Sequence, residues 1–354
     1  MARAAPGRRA TLPRMTPDCR LAIRNPSELI AVVPFLMGYH PSDCVALVGL
    51  ARDRVDFALC HDLPGPDWTD GDARAAAGSV ADAVARQRAR TVVVIGYGPP
   101  GRVSPAVLST AQAVQDRGVE VLEMIRVTDG RWWSYTCADP LCCPPEGIRC
   151  LPGDSLVAAE ATYHGRVALP SRRALTAQVA AVGGAEREAM AAATERARRR
   201  FTDLIADDLS ADRYGRLIRQ QGEAAVRAAE KRYRAGSRLD PDETAWLGVL
   251  LVNRKVEDLA LDRVTGQGWQ IQLWTDVLRR AEPAYVAPPA CLLAFSAWRA
   301  GHGSLARVAV DRALAEEPEH QLAGLLHNVL GHGLAPHMVV LPPRGAGPWR
   351  PFRR

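Results

Sequence analysis

The apolar positions change their period midway along the chain. From about residue 20 to residue 170, short apolar runs alternate with amphipathic stretches. Asn25-Pro26-Ser27-Glu28 opens a predicted helix to about Leu36, closed by Gly38 ahead of Pro41. Cys44 to Leu50 is an apolar run of strand length, Arg52-Asp53 reads as a turn, and Val55 to Cys60 as a paired strand. An alanine-rich amphipathic helix is predicted over about Asp72–Arg88. Thr91 to Ile95 is apolar and β-branched throughout, which suits a strand covered on both faces. Ser104-Pro105 predicts a helix start, Gly118 its end, and Val119 to Val127 the next strand. Asp129-Gly130 then predicts a tight hairpin returning as Arg131 to Tyr135.

Strand, helix, strand in succession implies right-handed crossovers, so residues 20–170 read as a three-layer α/β domain. Its sheet is expected to be mixed but mostly parallel, with hairpins at its ends. From 171 to 335 the pattern is helical with almost no strand signal. Ala185 to Leu209 predicts a long helix on which Arg196, Arg198, Arg199 and Arg200 mark a wet face. Asp240-Pro241-Asp242-Glu243 is a capping signature. Further helices are expected near 268–281, 288–300, 304–316 and 320–332. Gly301, Ala306, Ala313, Leu314 and Pro318, preceded by Leu293 and Ala294, have the spacing of one tetratricopeptide-like helix pair. A single pair packs two helices onto a domain, or offers a peptide groove.

Composition sets limits. Of the 354 residues 47% are hydrophobic, which fills a globular core. No apolar run approaches the roughly 18 residues that span a bilayer, and Met1–Arg20 lacks the apolar stretch of a secretory signal. A cytoplasmic protein without membrane partners is expected. The net charge of +6 suggests nucleic acid, but its distribution argues against it. Arg3, Arg8, Arg9, Arg14 and Arg20 face only Asp18 in one tail, and Arg344, Arg350, Arg353 and Arg354 sit in the other. Residues 1–19 and 336–354 therefore read as disordered basic tails, able at most to touch phosphate weakly; the folded body is near neutral.

The candidate chemistry centres on four of the eight cysteines. Cys137, Cys142, Cys143 and Cys150 lie in the loop 137–150, separated by four, zero and six residues. In a reducing cytosol such a cluster reads as metal-binding or reactive thiols before disulfides. Cys137 and Cys142 have zinc-ligand spacing; adjacent Cys142 and Cys143 are expected to point apart. Cys150 is a possible third ligand, and His164, His61 or His40 a possible fourth. The alternative is a loop stiffened by Pro140, Pro144 and Pro145, its thiols packed under Trp132 or Trp133. Cys44 and Cys60 read as small core residues.

Gly96-Tyr97-Gly98-Pro99-Pro100-Gly101 matches the dinucleotide-binding pattern, with Gly96, Gly98 and Gly101 as the cofactor candidates. The expected helix start beyond Gly101, and two prolines without N–H groups, weigh against it. An acid at the required distance could only be Glu120 or Glu123. Tyr39-His40-Pro41-Ser42-Asp43-Cys44 gathers reactive side chains, but reads as a turn in which Ser42 and Asp43 bond local backbone. His61-Asp62 ends a strand, and His327 and His332 sit near a helix end, with carbonyls as partners.

The segment Cys137-Ala138-Asp139-Pro140-Leu141-Cys142-Cys143-Pro144-Pro145-Glu146-Gly147 resembles a hallmark of an actinobacterial family known as domain of unknown function 4192. Pro26–Leu29, Pro34–Pro41, Val45–Leu50 and Ala297-Trp298-Arg299-Ala300-Gly301 resemble it too. The similarity covers about Arg20 to Gly333, and His302 stands where the family usually has Asp. The resemblance implies a cytoplasmic actinobacterial protein and supplies no catalytic residues. Two functions stay open. One is a non-enzymatic module binding a small molecule or protein at the strand ends near Gly96–Gly101 and the cysteine loop. The other is a zinc- or thiol-dependent enzyme using the cysteine loop.

Overall fold

Asn25 and Gly38 bracket the first helix, α1 (Pro26–Met37). The Asn25 side chain accepts the Glu28 N–H at 2.9 Å, and Gly38 ends the helix with φ of 79°. The computed structural model describes residues 25–339 except 52–53, 64, 66–68, 88–89, 151–155, 164–165 and 207–210. The turn at Arg52-Asp53, His164 and the tails outside 25–339 lie beyond the described residues.

Strands β1 (Cys44–Ala51), β2 (Arg54–Asp62), β3 (Thr91–Tyr97), β4 (Glu120–Thr128), β5 (Arg131–Ser134) and β6 (Ile148–Arg149) form one sheet in the order β2-β1-β3-β4-β5-β6. The expectation of a mostly parallel sheet is corrected here: β3–β4 is the one parallel pair, and the other four are antiparallel. The reason lies in the hairpin. β2 and β3 run the same way, as a crossover through α2 (Asp70–Arg86) requires. Yet β1, the hairpin partner of β2, takes the place between them and runs against both. Asp129 and Gly130 turn the chain with φ of 50° and 70°, the positive values that a two-residue hairpin needs.

Alternation along the central strands feeds two apolar layers. Val45, Leu47, Val92 and Val94 face α2 and α3 (Pro100–Gln115). Ala46, Val48, Val93 and Ile95 face the other way, towards α1 and the helical half. The layers are therefore three, as expected. The second layer does not stop at α1. It runs without a break into the interior of the helices that follow, so sheet and helical half share one hydrophobic cluster. Polar links reinforce this join. Arg172 Nη1 lies 2.7 Å from Asp62 Oδ2, and Arg86 Nε donates to His332 O at 3.1 Å.

After α4 (Leu156–Tyr163), the chain forms α5 (Arg172–Gln178), α6 (Gly184–Ile205), α7 (Ala211–Arg234), α8 (Pro241–Leu251), α9 (Arg254–Asp262), α10 (Gly268–Arg280), α11 (Ala287–Arg299), α12 (Gly303–Glu316) and α13 (Gln321–Gly331). Arg196, Arg198, Arg199 and Arg200 are exposed on α6, as their run implied. Arg196 reaches Asp242 at 2.7 Å, and Arg200 lies over the Trp246 ring at 4.0 Å. α11 sits in the middle of the half; every residue from Ala287 to Trp298 is buried. The expected small-residue crossing between α11 and α12 is present: Ala294, Ala306 and Ala313 are fully buried, and Gly301 turns the chain with φ of 84°. No helix among the described residues is long and apolar enough to cross a membrane.

The capping signature at α8 is realised. Asp240 Oδ1 accepts the Glu243 N–H at 2.8 Å, and Glu243 Oε2 accepts the Asp240 N–H at 3.0 Å. Asp240→Ala is expected to cost about 1 kcal/mol, measured as a shift in urea unfolding at constant slope. An unchanged midpoint would mean the reciprocal bonds do not hold in solution.

Candidate functional site

The glycine-rich turn departs from its expected form. α3 begins at Pro100, inside the motif, and not at Ser104-Pro105; Pro105 falls within the helix. Pro100 at the first helical position loses no bond, which makes the earlier start favourable. The turn still lacks the row of free donors a pyrophosphate needs. Pro99 and Pro100 have no N–H, and those of Arg102 and Val103 both bond Pro99 O, at 3.1 and 3.0 Å. Gly96 serves packing, since a Cβ there would overlap Val103 and Val107 of α3; Gly98 supplies a φ of 144°; Gly101 has open space around it. Glu120 opens β4, while Glu123 Oε1 accepts Ser134 Oγ at 2.9 Å and the Met124 N–H at 2.9 Å. Neither stands free at a strand end.

The turn before β1 is corrected in one respect. Asp43 has φ of 49°, and its carboxylate takes Arg102 Nη1 of α3 at 3.0 Å in place of local backbone. Cys44 is buried in the core and Cys60 packs against it. His61, next to last in β2, holds Nε2 3.2 Å from Thr110 Oγ1, and burial lowers its pKa. His332 Nδ1 donates to Asn328 O at 2.6 Å, whereas His327 Nδ1 is buried with no hydrogen bond among the described residues.

The cysteine loop joins β5 to β6 and closes upon its own backbone. Ser134 Oγ accepts the N–H groups of Thr136 and Cys137, at 3.0 and 2.9 Å. Asp139 O accepts those of Cys142 and Cys143, at 3.2 and 2.7 Å. Trp133 Nε1 donates to Pro145 O at 2.9 Å, and the Arg126 guanidinium covers the Trp133 ring at 3.9 Å. Within that frame the sulfurs of Cys137, Cys142 and Cys143 lie within 4.8 Å of one another. Cys142 and Cys143 do not point apart; their sulfurs are 4.0 Å apart, because both peptide N–H groups turn back onto Asp139. The thiols are half-buried to exposed, so they face each other at the surface. Trp132 sits in the core and donates Nε1 to Ser27 Oγ at 3.0 Å. Cys150 does not join the three: it is buried in the core cluster beyond β6. Among the described residues no histidine or carboxylate, His40 and His61 included, shares that 4.8 Å grouping.

A second constellation lies in the helical half, where no sequence motif marks it. A cavity of about 400 Å³ opens between α9, α11 and α13. Leu261, Phe295, Trp298, Leu322, Leu326 and Val329 make its apolar wall; Arg254, Glu257, Asp258, Glu317, Glu319 and His320 supply its polar groups. Glu257, Cys291 and His320 bring a carboxylate, a thiol and an imidazole within 4.8 Å of one another. Each is placed by a helix. Asn253 caps α9, which buries Val256, Glu257 and Ala260 along one face. Cys291 belongs to the buried α11. His320 caps α13, its Nδ1 accepting the Ala323 N–H at 3.4 Å.

That cap fixes the imidazole tautomer. Nδ1 is an acceptor, with Cys291 Sγ also 3.6 Å away, so the proton sits on Nε2, which faces Glu257 Oε1 at 3.5 Å. Glu257 is 6% exposed, and its Oε1 is buried without a hydrogen bond among the described residues. Burial first, then the charges of Asp258 and Glu317, raise its pKa to about 7, against the opposing pull of Arg254. Burial lowers His320 and raises Cys291 well above its ordinary value. Thiol, imidazole and carboxylate stand in the order of a nucleophilic relay. However, Cys291 has no exposed surface and is held protonated, which suits a packed thiol rather than an attacking one.

Residues 26–337 match the model of the family described as Domain of unknown function (DUF4192). The chain matches no curated protein and no solved structure.

Proposed function

The chain belongs to that family, whose description assigns no activity, so its role must be read from its own side chains, and we propose that it is a non-enzymatic ligand-binding protein. The cavity of the helical half takes a compact apolar molecule headed by an amine. The observation that carries this reading is Glu257: a carboxylate oxygen buried beside an apolar wall that makes no hydrogen bond among the described residues, His320 Nε2 standing 3.5 Å off. A buried polar atom without a partner costs about 1–3 kcal/mol, more when charged, and a ligand N–H at that point relieves the cost. The rim favours a cation, with Asp258, Glu317 and Glu319 set against Arg254. The volume lies in the range of small-molecule sites.

The test is calorimetry and thermal shift of the full chain with 2-phenylethylamine, and with 2-phenylethanol and 3-phenylpropionate as neutral and acidic counterparts. The amine is expected to bind and stabilise; the acid is not. Glu257→Gln is expected to weaken the amine by roughly 10- to 100-fold, the worth of a hydrogen bond to a charged group. As Glu257 ionises near pH 7, amine affinity should rise roughly tenfold between about pH 6 and pH 8. Equal binding of the three probes would sink the reading. So would alkylation of Cys291 in the native protein as fast as that of exposed Cys142, which would favour a thiol enzyme instead.

A further inference from the structure

The three surface thiols carry an inference independent of the cavity. We propose that Cys137, Cys142 and Cys143 bind one thiophilic cation of the zinc class, leaving its fourth position open to solvent. A tetrahedral Zn–S bond of about 2.3 Å places ligand sulfurs about 3.8 Å apart. Cys142 and Cys143 stand at 4.0 Å, and all three sulfurs lie within 4.8 Å of one another, so closing on an ion needs only small side-chain rotations. The backbone is already committed to this shape. Ser134 Oγ holds the Cys137 N–H, Asp139 O holds those of Cys142 and Cys143, and Asp139 Oδ1 accepts the Leu141 N–H at 2.9 Å. The loop's own hydrogen bonds thus turn its sulfurs inward.

The donor set selects the ion. Three thiolates, joined by no carboxylate or imidazole among the described residues, favour Zn²⁺ and its softer relatives over Mg²⁺ or Ca²⁺, which require oxygen. That no fourth donor joins them among the described residues matters equally. Structural zinc sites are closed by four protein ligands; three ligands and an accessible edge describe a site that exchanges its ion or offers it to an incoming group. Each thiol releases its proton as it binds, so affinity rises with pH.

The loop carries its own reporter. Trp133 is fastened to it through Pro145 O and lies against Gly147, so a change of loop geometry alters its fluorescence. The experiment uses the full chain, reduced and stripped with a chelator, then titrated with Cd²⁺ and back-titrated with Zn²⁺. One Cd²⁺ per chain is expected, with thiolate-to-cadmium absorption in the ultraviolet that Zn²⁺ abolishes. Cys137→Ser, Cys142→Ser and Cys143→Ser should each abolish one-to-one binding, with circular dichroism unchanged because the thiols support no core packing. Cys150→Ser and Cys291→Ser should retain it, which separates this site from the core thiol and from the cavity. Absence of the charge-transfer band in reduced wild-type protein would overturn the proposal. So would loss of the ion in Cys291→Ser with retention in Cys137→Ser.

Discussion

Asp276→Ala is expected to destabilise the protein by about 3–5 kcal/mol, because it strips a buried cation of its partner. The Asp276 carboxylate on α10 accepts hydrogen bonds from Tyr233 of α7, from Arg238 and from Arg280 one turn on. Arg280 is the reason for the size of the effect. It is 5% exposed, Nη1 donates to Leu239 O at 3.0 Å, and its Nε has no partner among the described residues. Removing the carboxylate leaves a guanidinium buried without its counter-charge. Burial alone would raise the pKa of Asp276, but hydrogen bonds from Arg238 and Tyr233, together with the charges of Arg280 and Arg238, outweigh it and hold the value low. The sign follows. This stability is fully present above the ordinary carboxylate range and is lost as pH falls through the depressed value. The gap between wild type and Asp276→Ala in urea unfolding should therefore be widest near neutrality and narrow in acid. A gap below about 1 kcal/mol near neutrality would show that solvent reaches the group.

Glu257→Gln should act in the opposite direction. The raised pKa means the native carboxyl keeps its proton while the unfolded one, near 4.5, has lost it. Between those values the native state binds more protons, so stability falls as pH rises. Above about 7 the native state bears the full cost of a buried charge, roughly 3 kcal/mol. Burial sets its value first, then Asp258, Arg254 and Glu317, which face the same group; burial also lowers the pKa of His320 beside it. The amide keeps the shape and removes the charge. It is expected to stabilise the protein by about 1–3 kcal/mol near pH 8 and to change little near pH 5, read from paired urea titrations. Loss of stability at both values would mean that Glu257 is satisfied by a donor in solution. The same substitution should weaken the amine, so stability gained and affinity lost would mark Glu257 as a group kept for binding.

Much of the architecture was legible because each element carries its own local chemistry. Asn25 and Gly38 bound α1, Asp129-Gly130 turned a hairpin, and Asp240 with Glu243 opened α8, all through contacts within a few residues. The order of strands was not legible. That β1 lies between β2 and β3 depends on which edge of the hairpin meets the crossover, and the apolar run of β3 would suit either neighbour. The start of α3 was misplaced because Pro99, Pro100 and Pro105 each fit a first turn, and packing chooses among them. The cysteine loop was legible as a cluster, since its members are close along the chain. Its exclusion of Cys150 followed from the pairing of β6, a tertiary fact. The cavity was barely legible, because Glu257, Cys291 and His320 come from three separate elements. Two faint signals were present, an acid on the apolar face of α9 and a histidine where a helix cap usually carries serine or aspartate.

The unbroken interior that runs from one face of the sheet into the helices restricts how this protein can be taken apart. A boundary drawn near residue 170 looks natural on paper, yet it passes through grease that both sides wet with the same side chains. Fragments cut there would each present a raw apolar wall to water, and their behaviour would report on that wound. Assigning roles by deletion is therefore the wrong instrument; single atoms, changed in place, are the right one.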